Sequence, residues 1–304
     1  MRMRAGILMR MMLLAVAAGV MLSLSACTSV DAVTKKNVYN IYSMKEDIEL
    51  GQSAMKQNLA ELEKEKVRIN GDAARLEQLR AIMRRITAVS DMPNLPYEVT
   101  LIQNNVVNAA AMPGGQMMVF NGLYDPEKGL TRDDDEIAAV MAHEIAHVNC
   151  RHTTERLSKL MTASAITELA AVAIESGNQG ELAAALRSVF SAGAMLWIPT
   201  YTRADEYEAD RVGLFYMAKA GYDPRAAARI WQRAGAAEKK SGKGTSGGMN
   251  LLATHPGSSD RFRTLNAMMP YAMEEYAKAV GRYPSDYKPP SGTPPVKPYN
   301  WRIP

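Results

Sequence analysis

The sequence predicts an α+β protein, mostly helical, with one small mixed β-sheet. Apolar residues recur at helical spacing on both sides of a short central stretch. Within that stretch, Glu98-Val99-Thr100-Leu101-Ile102 and Gln116-Met117-Met118-Val119-Phe120 have the length and β-rich character of strands. The composition, 47% hydrophobic and 22% charged over 304 residues, is that of a globular core and argues against a collagenous, disordered or multi-span membrane chain.

The first 26 residues carry Arg2, Arg4 and Arg10, no acid, and an apolar run from Met11 to Ala26. That run is shorter than the roughly 20 residues a spanning helix needs, so it reads as a signal peptide, 1–26. It ends in Leu24-Ser25-Ala26-Cys27, which resembles the lipobox of bacterial lipoproteins and implies a lipidated Cys27. Thr28 stands where an Asp would favour the inner membrane. The expected setting is therefore the periplasm, with the chain lipid-anchored to the outer membrane of a Gram-negative bacterium. Cys150 is then the one free thiol, expected as a small buried residue. Of 36 basic residues three lie in the leader, and the rest nearly balance 32 acidic ones, so nothing points to nucleic acid.

Residues 27–44 are polar and read as a tether. Ile48, Leu50, Met55, Leu59 and Leu62 predict a helix over 45–66, and a second follows over 72–89 until Pro93 and Pro96 stop the pattern. The strand pair comes next, the second strand entered through Pro113-Gly114-Gly115. Asp133-Asp134-Asp135-Glu136 crowds carboxylates where a helix macrodipole favours them, opening a helix expected to run to about Thr154. Ala- and Leu-rich helices are expected over 156–176 and 180–198; charges such as Lys159, Glu168 and Arg187 favour packing over a core rather than membrane spans. Helices over 203–220 and 224–238 flank Gly221-Tyr222-Asp223-Pro224, Ser241 to Gly248 reads as flexible, and a last helix spans 258–279 before the Pro-rich tail, 281–304.

His143-Glu144-Ile145-Ala146-His147 spells HExxH on the long helix. Residues four apart differ by about 40° around the axis, which puts both imidazoles on one face to share a metal with Glu144 beside it. Catalytic zinc takes three protein ligands, and the third must come from elsewhere. The metzincin pattern is excluded, because Cys150 and Thr153 stand where it needs glycine and histidine. On a continuous helix His152 lies about 180° away from His143, which makes it a structural residue. In Arg203-Ala204-Asp205-Glu206-Tyr207-Glu208-Ala209-Asp210, Glu206 and Asp210 share a face while Glu208 points elsewhere. Glu206 is the expected ligand and Asp210 the acceptor that holds a ligand imidazole. By charge patterning alone, this helix could equally be a solvated face.

HExxH followed by R-x-x-E-x-E-A-D is similar to metallopeptidase family forty-eight, the HtpX, BepA and LoiP lineage. Val107-Asn108-Ala109, Pro113-Gly114-Gly115, Gly122-Leu123, Arg151-His152, Gly221-Tyr222-Asp223-Pro224 and Thr254-His255-Pro256 with Arg261 extend the likeness over about 45–279. Thr202 and Ala110 depart from it without touching a ligand. The resemblance implies a zincin-like metalloprotease fold over 45–280, one Zn²⁺ per chain, and a zinc endopeptidase of the short LoiP-like lipoprotein type, without transmembrane helices or a TPR domain. On this reading His143, His147 and Glu206 hold zinc and Glu144 moves the proton; apart from the resemblance, the strand Gln116 to Phe120 could hold an extended substrate by edge-strand pairing. Implied substrates are unfolded or misassembled envelope proteins, with outer-membrane assembly machinery as a further partner. A non-catalytic assembly chaperone on the same fold is the rival reading. His255 has three expected roles: a fourth, regulatory zinc ligand such as BepA-like relatives carry, a donor to the developing oxyanion, or a cap on the last helix.

Overall fold

A computed structural model describes residues 28–127, 129–175, 201–241, 255 and 258–290. The expected signal peptide, Cys27, the helix over 180–198, nearly all of the Ser241–Gly248 stretch and the tail beyond Pro290 lie outside the described residues.

The chain enters through a short antiparallel hairpin, β1 (Thr28–Val30) and β2 (Asn37–Tyr39). This is where the tether was expected, and the structure corrects it: Val33, Asp31 and Asn40 are buried, and Asn40 donates to the Thr154 hydroxyl while the Ile41 amide donates to Ser158. Few apolar residues are needed because side-chain hydrogen bonds dock the segment. Helix α1 (Met44–Lys64) follows behind a capping box, with the Ser43 hydroxyl accepting from the Glu46 amide and the Glu46 carboxylate accepting from the Ser43 amide. After β3 (Arg68–Ile69), Asp72 caps α2 (Ala73–Thr87).

The sheet runs β3-β4-β6-β5, with β4 (Glu98–Gln103) parallel to β6 (Gln116–Phe120) and β5 (Ala109–Ala111) antiparallel to β6. It is mixed, as expected. Every residue of β6 is buried because both faces are covered: Met117 and Val119 join the main core with Leu79, Ile82 and Ile86 of α2, whereas Met118 and Phe120 meet Met55 and Leu62 of α1. Strand β6 is therefore interior, and the expectation that it pairs with substrate is wrong. The edge beside β6 is β5, whose three alanines let it lie close under the next helix.

That helix, α3 (Asp134–Asn149), is capped by Asp133 and ends with Cys150. It was expected to reach Thr154. Instead Arg151 adopts φ 55° and α4 (His152–Glu175) starts afresh. A left-handed residue with a side chain costs roughly 1–2 kcal/mol, and tertiary contacts hold it here: Arg151 Nε and Nη2 reach Asp47 Oδ2 and Oδ1 at 2.6 and 3.0 Å, and Nη2 also donates to the Tyr42 carbonyl. Helices α5 (Arg203–Lys219, with a Thr202/Asp205 capping box), α6 (Arg225–Ser241) and α7 (Ser258–Val280) complete the domain. Helix α5 packs against both α3 and α7. The tail begins as part of the fold, since Tyr283 and Tyr287 pack on the core and Asp286 pairs with Arg225. Among the described residues, no helix is long and apolar enough to cross a membrane.

Candidate metal centre

Helix α3 presents His143 and His147 one turn apart on the face toward α5, and both are buried. From α5 come Glu206 and Asp210, also one turn apart and buried. Gly213 lets the helices meet: a Cβ there would lie 2.9 Å from the Ala142 carbonyl carbon and oxygen and from the His143 amide. His255 arrives just before α7 and is 3% exposed.

Five donor atoms converge. His143 Nε2 lies 3.0 Å from His147 Nε2 and 3.3 Å from both Glu206 Oε2 and His255 Nδ1. Glu206 Oε1 is 3.6 Å from His147 Nε2 and 2.8 Å from His255 Nδ1. A tetrahedral zinc with ligands at about 2.0–2.2 Å puts those ligands about 3.3–3.6 Å from one another, so the spacing fits the ion within a few tenths of an ångström. The chemistry fits as well. Asp210 Oδ1 sits 3.1 Å from His143 Nδ1 and fixes the proton there, which aims the Nε2 lone pair into the cluster. Burial and His143 hold His147 neutral, well below the usual histidine range. Burial and Arg261 also oppose a charge on His143, yet Asp210 and Glu206 override them and lift it to about 9. Burial works against ionised Glu206, but His255, His143 and Arg261 hold its carboxyl far below the ordinary range. The cluster demands positive charge.

Glu144 lies at the rim, 1% exposed, with Oε2 accepting from the Ala111 amide of β5 at 3.1 Å and Oε1 3.4 Å from His255 Nε2. The structure thus brings together all the residues expected in the site: His143, Glu144, His147, Glu206, Asp210 and His255.

Two residues named from the sequence had no expected role in the site. Arg261 of α7 is 1% exposed; Nη1 is 2.6 Å from Glu206 Oε2, Nε is 2.7 Å from Asp210 Oδ2, and its guanidinium lies 3.5 Å from the centre of the Trp231 ring. A lone arginine beyond a loop gives no spacing signal. His152, expected on the far side of a continuous helix, instead has Nδ1 2.8 Å from His147 Nδ1, because the break at Arg151 turns it back. Asn149-Cys150 followed by Thr153-Thr154, all weak helix formers, was the available hint. Glu208, which does point away from Glu206, meets His152 Nε2 at 3.3 Å. Burial raises its pKa, but His152 and Lys36 more than offset this and bring it to about 2.

A family profile described as "Peptidase family M48" matches residues 73–269. The chain is 36% identical over 191 residues to a "Mitochondrial metalloendopeptidase OMA1" of Schizosaccharomyces pombe, covering 63% of this chain and 52% of that protein. It is 26% identical over 202 residues to a "Beta-barrel assembly-enhancing protease" of Yersinia pestis, covering 64% and 40%, and 28% identical over 155 residues to one of Escherichia coli, covering 49% and 30%. It therefore spans about half or less of the length of these curated relatives.

Two buried carboxylates, Glu206 and Asp210, meet one buried guanidinium, so Arg261→Met should cost on the order of 3–5 kcal/mol by removing their cationic partner. Urea unfolding is expected to show a larger loss in chelator than with zinc added, since the metal replaces part of the missing charge. Equal losses in the two conditions would show that Arg261 does not balance this cluster.

Proposed function

This chain belongs to peptidase family M48, the zinc metallopeptidases, and from that premise we propose that it is an endopeptidase whose zinc is held by His143, His147 and Glu206. A zinc bound there would supply Lewis acidity, enough to lower the pKa of water to about 7 and to polarise a carbonyl. The carboxylate of Glu144, oriented by the Ala111 amide, accepts the proton of the attacking water and returns it to the leaving amine. Asp210 and Arg261 keep His143 and Glu206 turned inward. The outer edge of β5, Ala109–Ala111, offers main-chain groups to an extended polypeptide beside Glu144, a mode tolerant of sequence.

The observation that carries this reading is Glu144: a buried carboxylate at the rim of the donor cluster serves proton transfer and has no use in the rival, non-catalytic chaperone. Glu144→Gln should retain zinc and fold yet lose cleavage of an unfolded substrate such as casein. Undiminished cleavage would return the chaperone to first place.

The position of His255 supports its role as a fourth ligand ahead of the helix-cap and oxyanion readings, because Nδ1 lies among the donor atoms and Nε2 beside Glu144. In that role it would take the place of the nucleophilic water and keep the enzyme latent until His255 is displaced. His255→Ala should then raise peptidase activity at saturating zinc, whereas a fall of about 10²-fold or more would indicate the oxyanion role. No change would leave the cap.

The substrates we propose are unfolded or misassembled envelope proteins, met in the periplasm by a chain anchored to the outer membrane through lipidated Cys27, with outer-membrane assembly machinery as partner. Relatives named for β-barrel assembly support this, while those named OMA1 are mitochondrial. The leader favours export, since its unbroken apolar run ending in Leu24-Ser25-Ala26-Cys27 lacks the amphipathic pattern of a transit peptide. Cys27→Ser should move the protein out of the membrane fraction or leave it unprocessed; unchanged fractionation would reject the anchor.

A further inference from the structure

We infer that His152 and Glu208 form a hydrogen-bonded relay that sets the tautomer and orientation of His147, making them positioning residues for the metal. The inference rests on the reading of His147 as a zinc ligand.

The argument begins with proton placement. His147 Nε2 faces the donor cluster, 3.0 Å from His143 Nε2, so a ligating His147 must keep its lone pair there and its proton on Nδ1. Nδ1 lies 2.8 Å from His152 Nδ1. For that contact to be a hydrogen bond with His147 donating, His152 must hold its own proton on Nε2. Nε2 is where Glu208 waits, its Oε2 3.3 Å away. With His152 neutral, one proton arrangement satisfies both bonds. The opposite arrangement would put a proton on His147 Nε2, aimed into the cluster, and a bare His152 lone pair against a carboxylate. Glu208 selects between the two, and it is itself held by Lys36 of the hairpin at 2.8 Å and Arg211 at 3.4 Å.

The two histidine ligands are thus steadied differently. His143 meets a carboxylate directly at Asp210, and His147 meets one through a second imidazole. Both supporting carboxylates come from α5, the helix that supplies Glu206. The relay exists because Arg151 breaks the helix and Asp47 holds the break, and His152 is nearly inaccessible at 3% exposure. Tyr201, stacked on the His147 ring at 3.7 Å between centroids, limits rotation out of the plane but leaves the choice of tautomer to His152.

The test uses the full chain and zinc affinity measured by chelator competition, with the visible spectrum of the cobalt-substituted protein as a report on ligand geometry. His152→Leu should weaken zinc about 10- to 100-fold and alter the cobalt bands. His152→Asn, whose amide oxygen can take the place of Nδ1 as acceptor, should recover most of the affinity and the native bands. A purely structural residue predicts that Leu and Asn are equally impaired, in step with the unfolding midpoint of the zinc-free protein, and that result overturns the relay. So does wild-type affinity and spectrum in His152→Leu. His147→Ala serves as the control: retained zinc affinity there defeats the ligand assignment itself, whereas lost binding there with an unaffected His152→Leu defeats the relay alone.

Discussion

How closely α3 and α5 approach one another is the constraint on which the site depends. Glu206, Asp210, Gly213 and Met217 form one stripe along α5, and the missing side chain at Gly213 lets that stripe come against the backbone of Ala142 and His143. With the backbones this close, a glutamate spans the remaining gap to two imidazoles and an aspartate reaches the far nitrogen of one of them. The alanines at 138, 139, 142 and 146 keep α3 narrow. Wider helices would leave the same residues as separate polar groups.

Bringing them together buries a strong negative field. The domain answers with Arg261, supplied by α7 and fixed against Trp231, and with the residual demand for positive charge visible in the raised pKa of His143. Folding and metal binding are therefore linked: an ion bound by the folded site and not by the open chain stabilises the fold by its binding free energy. Because Arg261 also lies near the His255 carbonyl, the helix that balances the charge is the one that carries the loop histidine into the cluster.

Arg151 shows how a local cost shapes the site. A continuous helix would have been the easier local structure for residues 134–154. The bidentate Asp47 contact stabilises a left-handed residue instead, and the break lets His152 meet His147 of the helix it has left. The same contact fastens α1 and, through Tyr42, the end of the N-terminal segment to the metal helix.

Much of the architecture was legible before any coordinates. The helical periods around 45–66, 72–89, 203–220 and 258–279, the two strand-like runs and the carboxylates crowded at 133–136 are local signals, and HExxH is a local pattern whose meaning follows from the pitch of one helix. The spacing of Glu206 and Asp210 is similarly intrinsic to α5. Whether those carboxylates face solvent or a metal was not local, because it depends on a neighbouring helix at Gly213. Strand order within the sheet, which made β5 rather than β6 the edge, depends on pairings between distant segments. Docking of residues 28–43 relies on polar contacts with α4 that leave no hydrophobic period to read. What the sequence by itself determined is the set of chemical groups and the helical face each belongs to. Which faces meet, and so that Arg261 and His152 join the site, was decided by tertiary structure, since one buried ion pair can override local helix preference while leaving no periodic trace in the chain.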